Sequence, residues 1–160
     1  MNRPNWDTYF MDIANVVATR GTCDRAHVGA VIVKDRRIIS TGYNGSPPGM
    51  DHCSDVGHQL EDGHCIRTLH GEENAILQAA VVGGSSTKGA TLYTTHSTCY
   101  LCLKKAISVG ITRIVAGMLY RDPTVGEICK KVGIELVLLE AKEGQLIDEL
   151  TLVQPNEVTS

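Results

Sequence analysis

Aromatic residues are scarce in this sequence: one Trp, one Phe and five Tyr among 160 residues. The core must therefore be built from Val, Ile, Leu and Ala, and there is little material for the stacking platforms that hold long single strands of nucleic acid. Long hydrophobic runs are absent too. The longest, such as Val28 to Val33 and Leu136 to Leu139, fall far short of the roughly 18 residues that mark a membrane span. No basic tract occurs either: the 15 Lys and Arg are dispersed against 18 Asp and Glu, for a net charge of -3, which argues against a nucleic-acid polymer as partner. The N-terminus lacks a basic segment followed by an apolar stretch, so no secretory signal is read and a cytoplasmic location is expected. With 42% hydrophobic and 21% charged residues, the length fits one domain with a full-sized core.

Against these absences stand six cysteines and six histidines. In a reducing compartment disulfides are the weaker expectation, and metal ligation or buried thiols the stronger one. Spacing has to decide between them.

Trp6, Tyr9, Phe10, Ile13, Val16 and Val17 recur at helical spacing after a candidate Asn5 cap, with Gly21 as a stop. Two β-branched runs, residues 28–33 and 37–42, flank Lys34-Asp35-Arg36 and predict a hairpin. From Tyr43 to Arg67 the sequence is rich in Gly, Pro, Asp and His without periodicity, a loop too long for a compact domain unless it carries ligands. Then come a helix over 70–82, a strand over 90–95, a helix over 98–109, a strand over 112–118, a helix over 124–132 ending at Gly133, and a strand over 134–139. The pattern predicts an α/β fold of three layers, α/β/α, around a mixed five-stranded sheet: an initial antiparallel hairpin, then parallel strands. Residues 1–140 are read as a single domain. Residues 141–160 form an extension with one amphipathic stretch (Leu146, Ile147, Leu150, Val153), read as partly helical and then frayed.

Two short segments carry chemistry. His70-Gly71-Glu72 opens one predicted helix, and Cys99-Tyr100-Leu101-Cys102 opens the next. Two thiolates and an imidazole suit a tetrahedral zinc ion that keeps its fourth position for water. Both segments lie at helix N-termini, where N–H groups and the dipole favour thiolate. Glu72, beside zinc-bound water or hydroxide, would shuttle a proton to a leaving amine. Taken singly, Cys-x-x-Cys could be a redox pair or half of a structural site, and His70 an ordinary helix-start histidine. Jointly, His-x-Glu, 26 residues and Cys-x-x-Cys point to catalysis.

His70-x-Glu72 with Cys99-x-x-Cys102 resembles the signature of the zinc-dependent cytidine deaminase superfamily, in which an exocyclic amine is replaced hydrolytically. Val28-Gly29-Ala30, Gly42-Tyr43-Asn44-Gly45-Ser46, Cys65-Ile66-Arg67-Thr68, Asn74-Ala75-Ile76-Leu77 and Gly110-Ile111 extend the likeness, over residues 5–140, to deoxycytidylate (dCMP) deaminases. The resemblance implies a cytidine deaminase-like fold and conversion of dCMP to dUMP plus ammonia. It also implies His70, Cys99 and Cys102 as zinc ligands, Glu72 as proton shuttle, and Asn44 as a contact to the substrate sugar, with Gly45 and Ser46 shaping that loop. A homo-oligomer, such as a hexamer, is implied as well.

The chain also departs from the family pattern. Gly71 stands where the family usually has Ala, still able to present its N–H to the pyrimidine carbonyl. Thr98 stands where the family has Pro, with Ser97 and Thr98 as candidate caps and a looser ligand geometry expected. Members regulated by nucleoside triphosphates place a basic residue on the helix after His-x-Glu, where this chain has Val81, so that control is not carried over.

Cys23, Cys53 and Cys65, with His52, His58 and His64 nearby, supply donors for a second, closed zinc site of a kind that a subset of these deaminases carries. Cys23, Cys53, His64 and Cys65 are the expected set. The alternative is buried thiols with solvated histidines. Cys129 is read as core. For a 5'-phosphate, Arg25 is the first candidate, with Arg67 and Arg121 behind it. Tyr120 falls at the carboxyl end of a strand, where α/β proteins bind ligands. Two other readings stay open: deamination of another amine-bearing base, nucleoside or pterin-like ring, and a non-catalytic zinc-stabilised module.

Overall fold

The computed structural model describes residues 2–118, 122–141 and 150–153. Asn5 caps helix α1 (Trp6–Ala18), its side-chain oxygen accepting from the Thr8 N–H at 2.8 Å. Strands β1 (Gly29–Lys34) and β2 (Arg37–Tyr43) form the predicted antiparallel hairpin. Asp35 and Arg36 close it at φ 49° and 59°, the paired positive φ values of a turn that matches strand twist. The long loop that follows is not bare. It holds a one-turn helix α2 (Cys53–Val56) and a ribbon of β3 (Leu60–Glu61) and β4 (His64–Cys65), elements too short to show a periodicity.

Helix α3 (Gly71–Val82), strand β5 (Thr91–Thr94), helix α4 (Tyr100–Ser108), strand β6 (Arg113–Ala116), helix α5 (Pro123–Val132) and strand β7 (Glu135–Ala141) then alternate as expected. The sheet runs β2-β1-β5-β6-β7, with β5, β6 and β7 parallel and β1 antiparallel to both of its neighbours. These are the five expected strands of the cytidine deaminase-like fold. A sixth, β8 (Leu150–Val153), pairs antiparallel with β7 at the edge. The amphipathic stretch expected to be helical thus ends in a strand, because Leu150 and Val153 sit beside an otherwise open sheet edge whose backbone groups need partners. Leu146 and Ile147 lie outside the described residues.

Side-chain alternation divides the core in two. Ala30, Ile32, Leu92 and Ile114 point to one face, under α3, α4 and α5, together with Leu103, Ala106, Val125 and Cys129. Val31, Val33, Tyr93, Val115 and Val137 point to the other, under Phe10, Met11 and Ala14 of α1. Each fully buried Leu or Ile contributes roughly 1.5–3 kcal/mol, so this aliphatic frame holds α3 and α4 firmly. Two glycines let helices sit this close. A Cβ on Gly29 would lie 2.0 Å from the Ala14 carbonyl of α1, and one on Gly42 would lie 2.2 Å from the Ala75 nitrogen of α3. Among the described residues no helix is long and apolar enough to cross a membrane.

Candidate active site

The N-termini of α3 and α4 meet beside the carboxyl end of β5, and each is capped by a candidate ligand. His70 is the N-cap of α3, with extended backbone and no side-chain capping bond of its own. Cys99 is the N-cap of α4, and its sulfur accepts from the Cys102 N–H at 3.5 Å. Ser97 and Thr98 therefore do not cap this helix. The thiol does, since a sulfur carrying negative charge satisfies a helix N-terminus well.

His70 Nδ1 lies 3.4 Å from the Cys99 sulfur and 3.4 Å from the Cys102 sulfur. Ligands of a tetrahedral zinc ion, about 2.1–2.3 Å from the metal, stand about 3.6 Å apart, so these donors have the chemistry and the spacing to hold one. Hydrogen bonding from Cys102 and His70 pushes the Cys99 thiol down to about 3 despite its burial, while the same bond and burial raise Cys102. His70 is raised, chiefly by its bond to Cys99.

Glu72, in the first turn of α3, is only 3% exposed. Burial raises its carboxyl above the ordinary range, opposed by its own backbone N–H, the His70 charge and the Thr98 hydroxyl. Glu73 points elsewhere and forms an ion pair with Lys105 of α4, a strut between the two ligand-bearing helices.

A second cluster lies under the long loop. Cys23, Cys53, His58 and Cys65 bring four donor atoms within 4.8 Å of one another. The expected His64 is not among them: it is exposed, and in a ribbon where neighbouring side chains face opposite ways, Cys65 facing the cluster turns His64 out. His58 takes that place. Its Nδ1 is 3.5 Å from the Cys23 sulfur and its Nε2 2.9 Å from Asp24 Oδ1, so a carboxylate fixes the ring from behind as it does for many metal-bound histidines. Cys65 is lowered to about 6, the backbone N–H groups of Arg67 and Gln59 outweighing burial, and Cys53 is pushed up to about 12 by burial and its bond to Cys65.

Residues 4–118 match the family model of the cytidine and deoxycytidylate deaminase zinc-binding region. The chain belongs to this deaminase family. It is 42% identical over 144 residues to ComE operon protein 2 of Bacillus subtilis, covering 89% of this chain and 76% of that one. It is 40% identical over 127 residues to the deoxycytidylate deaminase of Mycobacterium phage D29, covering 72% and 96%. The crystal structure of dCMP deaminase from the cyanophage S-TIM5 in complex with dCMP and dUMP superposes with a TM-score of 0.74 at 28% identity, over 87% of this chain and all of that one. The protein is accordingly an enzyme of the zinc-dependent hydrolytic deaminases.

The other candidate residues of this deaminase divide into groups. Asn44 is buried and occupied as a clamp: its Oδ1 accepts from the Val28 N–H at 2.8 Å and its Nδ2 donates to the Ala26 carbonyl at 2.6 Å. Gly45 bridges to Leu69, the residue before His70, so the loop is sewn to the ligand segment. Ser46 Oγ is buried without a hydrogen-bond partner among the described residues. A cleft of about 480 Å³ between β2 and α3 reaches Gly45 and Ser46 but none of the three donors. Gly71 is buried under Val28, and Arg25 is exposed on the loop that Asn44 clamps. Tyr120 and Arg121 lie outside the described residues. Sequence reasoning named His58 only as a neighbour of the second cluster and chose His64 in its place, and it missed the bond between Thr98 and Glu72. The ribbon that turns His64 outward has two residues per strand and leaves no periodicity to read, and nothing in the spacing signals that bond.

Proposed function

We propose that this enzyme converts dCMP to dUMP and ammonia, with His70, Cys99 and Cys102 holding a catalytic zinc and Glu72 moving the proton. The observation that carries the reading is a carboxylate 3% exposed, two residues from His70 and in the turn facing two cysteines. A structural site has no use for such an acid. Bound zinc supplies Lewis acidity, which makes water nucleophilic near neutral pH. Glu72, its pKa raised by burial, can take a proton and return it to the departing amine within one cycle. The Gly71 N–H stands at the helix start, free of an intrahelical partner, and can meet the pyrimidine carbonyl. Asn44, Gly45 and Ser46 shape the sugar side, Arg25 is assigned to the phosphate, and Tyr120 is kept as a further substrate contact. Choice of dCMP rests on the relatives' named substrate and on the nucleotides in the cyanophage complex.

Cys23, Cys53, His58 and Cys65 would hold a second, structural zinc, since four protein donors close a tetrahedral ion to water. The homo-oligomer is assigned to the outer face of α3, where Leu77, Val81 and Val82 remain exposed, and light scattering should give a mass above one chain. An ammonia-release assay over dCMP, CMP, dCTP, deoxycytidine, cytosine and guanine, run beside a zinc count, tests the whole. We expect the highest kcat/KM for dCMP, and loss of turnover in Glu72→Gln with zinc retained. A better substrate than dCMP moves the assignment back to the family level, and activity in Glu72→Gln refutes the mechanism.

A further inference from the structure

We infer that Thr98 is a positioning residue for Glu72, and that its hydroxyl fixes which carboxylate oxygen of Glu72 is left to exchange protons. The Thr98 side chain is 1% exposed, and its Oγ1 donates to Glu72 Oε1 at 3.1 Å in a wholly buried contact. A carboxylate only accepts, so the hydroxyl proton lies toward Glu72. The usual task of a Thr at this point, capping α4, belongs to the Cys99 sulfur instead. A buried hydroxyl without a partner is costly, and the partner it has here is the acid.

The placement gives the bond its consequence. Glu72 stands in the first turn of α3, whereas Thr98 immediately precedes Cys99 on the segment entering α4. The bond thus ties the carboxylate to the backbone of a ligand segment across the same junction that His70, Cys99 and Cys102 span. A glutamate has three side-chain torsions, and a reacting group misplaced by about 1 Å can lose on the order of a hundredfold in rate. With Oε1 held by Thr98, Oε2 is the oxygen assigned to take and return a proton. Neither the ligands nor the substrate-side loop performs this task.

The inference rests on Glu72 as the proton-moving group, and Glu72→Gln tests that reading by itself. The test compares Thr98→Val, which keeps shape and removes the hydroxyl, with Thr98→Ser, which restores it. We expect Thr98→Val to lower kcat about tenfold with KM within about twofold and the zinc count unchanged. Thr98→Ser should recover at least about a third of the wild-type kcat. A readout independent of turnover is the Glu72 carboxyl band, isolated as the infrared difference between a protein and its Glu72→Gln variant. That band should shift in Thr98→Val and return in Thr98→Ser. If valine disturbs zinc content, Thr98→Ala takes its place with the same expectations. An unchanged kcat, a band that does not move, or a serine variant as slow as valine overturns the inference. Turnover that survives in Glu72→Gln overturns the reading beneath it instead.

Discussion

His70 and Cys99 cap helices of twelve and nine residues that are seated on the sheet, whereas Cys53 opens a helix of four residues and Cys65 ends a strand of two. The first cluster inherits its geometry from an aliphatic core that exists for other reasons, with Leu103 and Ala106 of α4 fully buried. The second draws three of its four donors, Cys53, His58 and Cys65, from segments whose apolar residues, Val56, Leu60 and Ile66, are half or more exposed. Such segments bury little to offset the entropy of ordering them, so a metal held there would act as a cross-link. Three donors beside a buried acid leave room for chemistry, and four donors close it off. On the proposed reading one fold would use the same soft ligands for two ends: the frame would serve the first site, and the second site would serve the frame.

The largest test of that contrast is Cys102→Ser. Loss of one of three donors should reduce ammonia release by at least about a thousandfold, equivalent to roughly 4 kcal/mol of barrier, with one zinc fewer per chain. Its melting temperature should stay within a few degrees of wild type. A collapse of the fold would mean that the frame does not carry this site.

Cys53→Ser should do the reverse. It should lower the melting temperature by roughly 6–12 °C, as loss of about 3 kcal/mol would in a chain of this size. Proteolysis should open between residues 50 and 67, while kcat on fully folded protein stays within about threefold. Equal loss of activity in both variants would erase the distinction between the clusters.

What could be read in advance follows the same division. Strand alternation and helical spacing are legible because the frame is regular: Val31, Val33, Tyr93 and Val115 alternate face by face with Ile32, Leu92 and Ile114. His-x-Glu and Cys-x-x-Cys are legible because both sit at helix starts, where position in sequence translates directly into position in space. The choice of His58 over His64 depends on register in a ribbon of two residues per strand, which carries no periodicity. Thr98 meeting Glu72 depends on how two helix N-termini approach, a tertiary fact that neither segment encodes alone. The edge strand Leu150–Val153 reads as an amphipathic helix until the open flank of β7 is known.

A third, smaller effect probes the frame away from both clusters. Arg113 of β6 makes a bidentate pair with Asp7 of α1, both contacts at 2.7 Å, and the Tyr93 hydroxyl donates to Asp7 at 2.8 Å. The Arg113 bond holds the Asp7 carboxyl below its ordinary value of 3.8, against burial. A carboxyl lowered on folding stabilises the fold above its unfolded value and loses that contribution as pH falls through the folded value. Asp7→Asn should therefore cost about 2 kcal/mol, or roughly 4–8 °C, from pH 5 to 8. The gap to wild type should narrow as pH falls below 3.8 and close as it passes the lower folded value. Zinc count and KM should not change, because the clamp lies at the amino ends of the strands, remote from the ligands. A gap that persists undiminished in acid would show that the Asp7 charge is not its source.

The smallest effect comes from filling the space beside His70. A Cβ on Gly71 would meet the Val28 carbonyl at 3.0 Å and its Cγ1 at 3.2 Å, closer than ordinary packing. Val28 cannot simply yield, because its N–H is held by the Asn44 side chain and its carbonyl by the Asn44 N–H. An alanine lowers the entropic cost of the helix start by up to about 1 kcal/mol, so gain and strain are of similar size. The contact decides the sign, since the strain is directed into Asn44, the residue on the proposed sugar side. Gly71→Ala should shift the melting temperature by no more than about 2–4 °C, yet raise KM for dCMP several-fold while kcat holds. A KM as low as wild type would mean that Val28 and Asn44 move together without loss, and that the substrate-side loop is softer than the ligand frame it is sewn to.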